Sequence, residues 1–267
     1  MDATPHQAQL GNISLRALHV WRRNAEVLLT TWYTNFLPPL LEPVFYVLAF
    51  GFGIGGLVGD FAFQGQEMSY LQFVAPGVVA VAVMFWSFFE TTYSSFVRMY
   101  YQRTFDAMIA TPLLVEDVIA GELLWGATKA FGAGTLMMGM LSAFGLLAWP
   151  TALWVLPLAA LGGLMFASIG LIVTALSPKI EAFNLPIFLF IFPMFLFSGT
   201  FFPLEQLPGW AHSLAMAFPL THTCALIRGA CLGLTPPQLD WHLSYVLIGT
   251  PTIGILALRL MYRRLVK

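Results

Sequence analysis

Residues 153–176, LWVLPLAALGGLMFASIGLIVTAL, contain no Asp, Glu, Lys, Arg, His, Asn or Gln. About 20 such residues in a helix cross the hydrocarbon core of a bilayer, whereas a helix on a soluble protein shows a polar face. Outward from this run the pattern recurs. Residues 35–58, 72–95, 118–148, 184–202 and 241–261 are comparably apolar, and six spanning helices are expected. The 267-residue chain is 58% hydrophobic, 15% aromatic and only 9% charged, with mean hydropathy +0.78. A soluble domain carries about 25% charge, so a soluble enzyme and a disordered regulator are excluded. Twelve Lys+Arg against 13 Asp+Glu, net −1, give no basic field for nucleic acid.

Cations set the orientation. Arg16, Arg22 and Arg23 precede the first span, Arg98 and Arg103 lie between the second and third, and Lys179 between the fourth and fifth. Arg259, Arg263, Arg264 and Lys267 end the chain. Of the 12 cations only Lys129 and Arg228 fall elsewhere. This positive-inside bias predicts cytoplasmic termini in a multi-pass membrane protein. The polar start MDATPHQAQLGN does not read as a cleavable signal peptide. Asp60, Glu67, Glu205 and Asp240 are expected on the outer side.

Residues 1–33 read as a cytoplasmic tail and an amphipathic helix, and 34–267 as the transmembrane domain, within a single domain overall. Asn12, Arg16, His19, Arg23, Glu26 and Thr30 recur at three and four, a polar stripe opposite Val20, Trp21 and Leu28. Such a helix lies in the bilayer interface. The stretch 203–240 is apolar but broken by Pro203, Pro208, Pro219, Pro236 and Pro237. It is expected to dip into the outer leaflet as broken, re-entrant helices covered by protein.

Catalytic signatures are missing. No GxxxxGK[ST] loop exists, because Lys129, Lys179 and Lys267 follow Thr, Pro and Val. His222 and Cys224 alone do not make a metal site, and no serine-protease turn is complete. No catalytic residue is expected. Cys224 and Cys231, seven apart on one helix, are too distant to bridge.

Ionisable residues at membrane depth are costly and mark function by default. Glu42, Glu90 and Lys129 fall about 10–12 Å inside the cytoplasmic boundary at 1.5 Å per residue. With Glu122, on the Lys129 helix face, they form an intramembrane polar layer. It is open to three readings: a Glu90–Lys129 pair fixing helix register, a polar path for substrate, or proton coupling. Trp86, Phe88, Phe89, Trp125 and Phe197 are candidates for aromatic walls of such a path. Between spans two and three, RTFDAMIATP (103–112) reads as a short helix. Thr104 is expected to N-cap it, Asp106 to favour its first turn and Thr111-Pro112 to stop it. Phe105, Met108 and Ile109 share one face, suited to a partner's groove.

Five segments carry a resemblance: PVFYVLAFGFGIG (43–55), FFETTYSSFVRMYYQRTFDAMIATP (88–112), GELLWGATKA (121–130), FLFSGTFFPLEQLP (195–208) and FPLTHTCALIRGACLG (218–233). With them the chain resembles permease subunits of type 2 ABC exporters, most closely the NodJ group, which exports lipo-chitooligosaccharide nodulation factors. Other permeases of similar plan carry drugs, polysaccharides or glycolipids. The resemblance implies two permease copies, paired with two NodI-like ATP-binding subunits that hold ATP and Mg, this chain holding no cofactor. It also implies that Arg103, Thr104, Phe105, Asp106, Met108 and Ile109 form the ATPase-coupling helix. An ion-coupled secondary transporter remains the competing class.

Overall fold

The computed structural model describes residues 13–266, so Asn12, Lys267 and the first twelve residues lie outside the described part. Helix α1 (Ala17–Thr30) leads into α2 (Trp32–Tyr46), which continues through a π-helical stretch, Val47–Ile54, into α3 (Gly55–Val58). A hairpin of β1 (Asp60–Phe63) and β2 (Gln66–Ser69), paired antiparallel, follows. Next come α4 (Tyr70–Phe89), π turns at Glu90–Ser94 and Val97–Tyr101, and α5 (Thr104–Ile109). Then α6 (Val115–Ala143), α7 (Val155–Leu176), α8 (Asn184–Pro186) and α9 (Phe192–Phe197) succeed one another. The chain finishes with α10 (Gly209–Ala215), α11 (Pro219–Leu232) and α12 (Leu239–Leu265).

Among the described residues, four continuous helices are long and apolar enough to cross a membrane: Tyr70–Tyr101, Thr151–Leu176, Ile180–Phe197 and Leu239–Leu265. The pair α10–α11, bent by 83°, brings this to five if it counts as one span. Helix α6 has 29 residues, but its Glu116, Asp117, Glu122 and Lys129 lower its hydropathy. The Tyr70–Tyr101 helix is 78% buried over its apolar window, against 22% for Ile180–Phe197 and for Leu239–Leu265. It is therefore the centre of the bundle, flanked by α6, α7 and α11.

Three expectations need correction. Span two does not stop near Ser95. Ser69 opens it with a capping box shared with Gln72, and π turns carry it to Tyr101, so Arg98 is part of the span rather than of a loop. Thr104 does not cap α5; Arg103, at φ 49°, holds the N-cap position and makes no side-chain cap bond. The all-α reading missed the hairpin, whose Phe61 and Phe63 lie edge-on to Phe73 at 5.4 and 5.0 Å. Its turn, Gln64-Gly65 with both φ positive, lacks the Asn-Gly or Asp-Gly pair that announces such hairpins.

Hydrocarbon supplies no hydrophobic drive between helices, so close contact rests on small residues and interhelical hydrogen bonds. Ser87 Oγ donates to the Gly163 carbonyl (2.5 Å) and Thr174 Oγ1 to the Thr91 carbonyl (2.8 Å), tying α7 to the α4 helix. Gly170 faces them. A methyl added there would land on Thr91 Oγ1 and 2.9 Å from the Phe88 carbonyl. Gly170→Ala is expected to cost about 1–3 kcal/mol by overpacking, visible as a lower midpoint of thermal unfolding in detergent. At the C-terminal end of α7, Arg264 Nη1 of α12 donates to the Thr174, Ala175 and Ser177 carbonyls. A cation there satisfies the unpaired C-terminal groups of a helix.

Candidate functional site

Helix α5 has six residues, too few to be stable alone. Phe105 anchors it: fully buried, it joins the core cluster, with Met108 and Ile109 packed half-buried beside it. Thr111 closes the turn, its N–H (3.0 Å) and its Oγ1 (2.6 Å) both donating to the Met108 carbonyl. The expected apolar face is real and points into this chain, with Phe105 wholly and Met108 and Ile109 half taken up by it. The surface left for contact is the other one, where Arg103, Asp106, Ala107 and Ala110 are exposed. Arg103 and Asp106 approach to 3.9 Å across it.

Directly above α5, Arg98 collects the buried charges. Its Nη1 donates to Glu90 Oε1 at 2.8 Å, and its Nη2 and Nε donate to Glu122 Oε2 at 2.6 and 3.2 Å. Ser95 Oγ also donates to Glu122 Oε2 (2.5 Å), and Asn24 Nδ2 of α1 to Oε1 (2.9 Å). Lys129 Nζ lies 3.9 Å from Glu90 Oε2 and 5.6 Å from the centre of the Trp86 ring. Trp86 Nε1 donates to Glu42 Oε2 (3.2 Å) and Trp125 Nε1 to Glu90 Oε1 (3.0 Å). Glu42, Glu90, Glu122 and Lys129 thus do meet in one layer. The pairing within it differs from the expected one, because Arg98 rather than Lys129 is the main partner of Glu90. Around Glu90 and Glu122 two carboxylates meet two cations, Arg98 and Lys129, while Glu42 is held by the Trp86 indole N–H.

Arg98 was missed because it was counted among loop cations. The signal was present: Glu90 and Arg98 flank the hydroxyl-rich run Thr91, Thr92, Ser94, Ser95. An α-helix would not stack residues eight apart, whereas the looser i→i+5 turns observed here change that register.

The network reaches α1 by several contacts. Ser14 N and Oγ donate to Asp117 Oδ1 at 2.7 and 3.1 Å, Arg16 Nη1 to the Pro112 carbonyl at 2.7 Å, and Trp21 Nε1 to Thr128 Oγ1 at 2.9 Å. Val20 rests on Gly121, where a Cβ would come within 2.5 Å of it. Helix α1 and the residues just before it are thus tied by direct contacts to α6, to the segment after α5 and to the charged layer. Burial, then Arg98, pushes the Arg23 guanidinium below its ordinary value, and Glu122 opposes this. A cavity of about 370 Å³ opens between α1 and the layer, lined by Arg23, Asn24, Glu90, Arg98, Trp125 and Lys129.

The aromatic candidates divide. Trp86 and Trp125 serve as donors within the layer, and Phe89 stacks on Phe85 at 5.5 Å. Phe88 is fully buried, and Phe197, at the end of α9, has no ring contact with the others among the described residues. No group of three metal-ligating side chains exists among the described residues. His222 is not aligned with Cys224; its Nδ1 faces His242 Nδ1 at 2.8 Å. Cys224 and Cys231 are buried free thiols.

A family model described as "ABC-2 type transporter" matches residues 17–232. The chain is 38% identical to Nodulation protein J of Sinorhizobium fredii over 246 residues, 92% of each chain. It is 37% identical to Nodulation protein J of Rhizobium leguminosarum bv. viciae over 253 residues, 95% of this chain and 96% of that one. To the inner membrane transport permease YadH of Escherichia coli it is 22% identical over 215 residues, 80% of this chain and 82% of that one.

Proposed function

The chain belongs to the ABC-2 type transporter family, and from that premise we propose that it exports an acylated oligosaccharide of the nodulation-factor kind. It acts as the membrane subunit; ATP and Mg are bound by a separate NodI-like subunit, and a second copy of this chain completes the permease. We read six spans: Trp32–Val58 taken through α2 and α3, the Tyr70–Tyr101 helix, α6, α7, the Ile180–Phe197 helix and α12. The bent α10–α11 pair is then re-entrant from the outer side, and both termini and α5 are cytoplasmic in a bacterial inner membrane.

The single observation that carries the mechanism is the placement of α5. Its apolar residues are sunk into the chain below the Arg98 network, and its polar face is bare. A push on that face by the ATPase subunit reaches three elements at once. Phe105 transmits it to the core, Arg98 to the Tyr70–Tyr101 helix and α6, and Asn24 to α1. The charged layer suits a structural lever better than a proton carrier, because Glu90 and Glu122 are already matched by Arg98 and Lys129. Substrates of related permeases, namely drugs, polysaccharides and glycolipids, are the alternatives within this reading.

The test is transport by the reconstituted permease with its ATP-binding subunit. ATP should drive export of a lipo-oligosaccharide, and deletion of residues 103–112 should abolish it. Export by the permease alone under a pH gradient would instead establish a secondary transporter. Stimulation of ATP turnover by a hydrophobic drug, but not by the lipo-oligosaccharide, would move the substrate assignment elsewhere in the family.

A further inference from the structure

At the end of the bundle opposite α5, the hairpin, the Leu204–Gln206 turn, α11 and the start of α12 enclose a cavity of about 160 Å³. The coupling helix and charge network take no part in it. Arg228 lines it and is only 7% exposed. Its Nη2 donates to the Gly199 carbonyl at 2.7 Å and its Nε to the Phe73 carbonyl at 3.1 Å, with the Phe73 ring centre 4.0 Å away. Among the described residues no carboxylate lies within ion-pair reach of it. Carbonyl dipoles hold one edge of the guanidinium, and Nη1 makes none of these bonds. Glu205, exposed, lines the same cavity without pairing to Arg228.

Two glutamines line the cavity too. Gln64 and Gln238 sit at φ 52° and 55°, a conformation few L residues other than Asn and Asp adopt. Arg103 is the one other non-glycine residue so placed among the described residues. Gln238 occupies the N-cap of α12 yet makes no side-chain cap bond, where Ser, Thr, Asp or Asn would be the stabilising choice. Its amide does not cap the helix. His242, His212 and the Phe63 ring are also part of the lining.

Groups of both signs discriminate against a simple ion, because Glu205 repels an anion and Arg228 a cation. What remains is a neutral ligand that satisfies donors and acceptors together. Sugar hydroxyls do this, each donating and accepting, and an aromatic wall suits the apolar face of a sugar ring. The volume is below the roughly 300–1,000 Å³ of sites for drug-sized ligands, enough for one ring but not for a chain.

We infer that this cavity binds a single terminal sugar of an oligosaccharide on the outer side of the membrane. It gives the glycan end of the departing molecule a landing place before the acyl chain leaves. The inference rests on the exporter reading, which makes this side the outer one.

The test uses the complete permease–ATPase complex in lipid nanodiscs, with free chitotetraose as probe and saturation-transfer NMR as readout. Gln64→Gly and Gln238→Gly remove the amides, while glycine accepts the positive φ without cost, so assembly and thermal stability should hold or improve. Wild type should show transfer to a terminal ring, and each variant should bind about tenfold more weakly, the worth of roughly one well-made hydrogen bond. No transfer in wild type, or equal transfer in both variants, overturns the inference. ATP-driven export of the acylated oligosaccharide, measured on the same preparation, separates the two readings. Export without sugar binding sinks the cavity alone, and absence of that export sinks the transport assignment.

Discussion

Arg98→Met should leave a protein that assembles poorly, with a loss of about 3–5 kcal/mol, the cost of breaking a buried ion pair by removing one partner. Glu122 is fully buried; without the guanidinium it would keep Ser95 and Asn24 as donors and only Arg23, not hydrogen-bonded to it, as a positive charge. Glu90 would be less affected, having Trp125 and Lys129. Thermal unfolding in detergent micelles measures the loss. The double variant Arg98→Met with Glu122→Met should recover most of the stability, since a buried pair exchanged for apolar residues is often neutral or better. Arg98→Lys should fall between, because an ammonium cannot present a planar fork to two carboxylates. If the layer is a lever, the recovered double variant still transports poorly per ATP hydrolysed. Normal transport by it would reduce the layer to a packing device.

Phe105→Ala should uncouple hydrolysis from transport. The ring is fully buried and is the anchor of a six-residue helix. Truncating a buried phenylalanine costs about 3–5 kcal/mol, and here the loss falls on the seating of α5 against α6 and the preceding π turn. The exposed face of Arg103, Asp106, Ala107 and Ala110 is untouched, so the ATPase subunit should still bind and turn over within about twofold. Export per ATP should drop by at least about tenfold, corresponding to only 1.4 kcal/mol of lost docking. Asp106→Ala serves as the contrast: it alters the exposed face, and should weaken assembly with the ATPase subunit while leaving the permease's own unfolding midpoint unchanged. Equal losses of ATP turnover and export in Phe105→Ala would argue for simple misfolding.

Much of the architecture could be read from residue order. Residues 153–176 give a span because no charged or amide side chain interrupts them, and the prolines from Pro203 to Pro237 mark where helices must break. The polar layer was legible as well, since Glu42, Glu90 and Lys129 are conspicuous in apolar runs. Arg98 was not, because its place depends on π turns, and whether a helix loosens its hydrogen bonds is set by what packs against it. The hairpin stayed hidden for a related reason. Gln64-Gly65 is a poor hairpin signal, and the strands are held by Phe73, a residue of another element.

Sequence by itself determined that this is an apolar, membrane-type chain without a nucleotide loop, and that a short helix with one apolar face follows the apolar run that ends near Ser95. Those are properties of composition and local periodicity, which bilayer thickness and helix geometry convert directly into structure. Only the tertiary structure decided which way that helix faces, which cation neutralises which carboxylate, and that one cavity brings Gln64, Arg228 and Gln238 together. These depend on contacts between residues as far as 155 positions apart, for which a linear pattern holds no distance information.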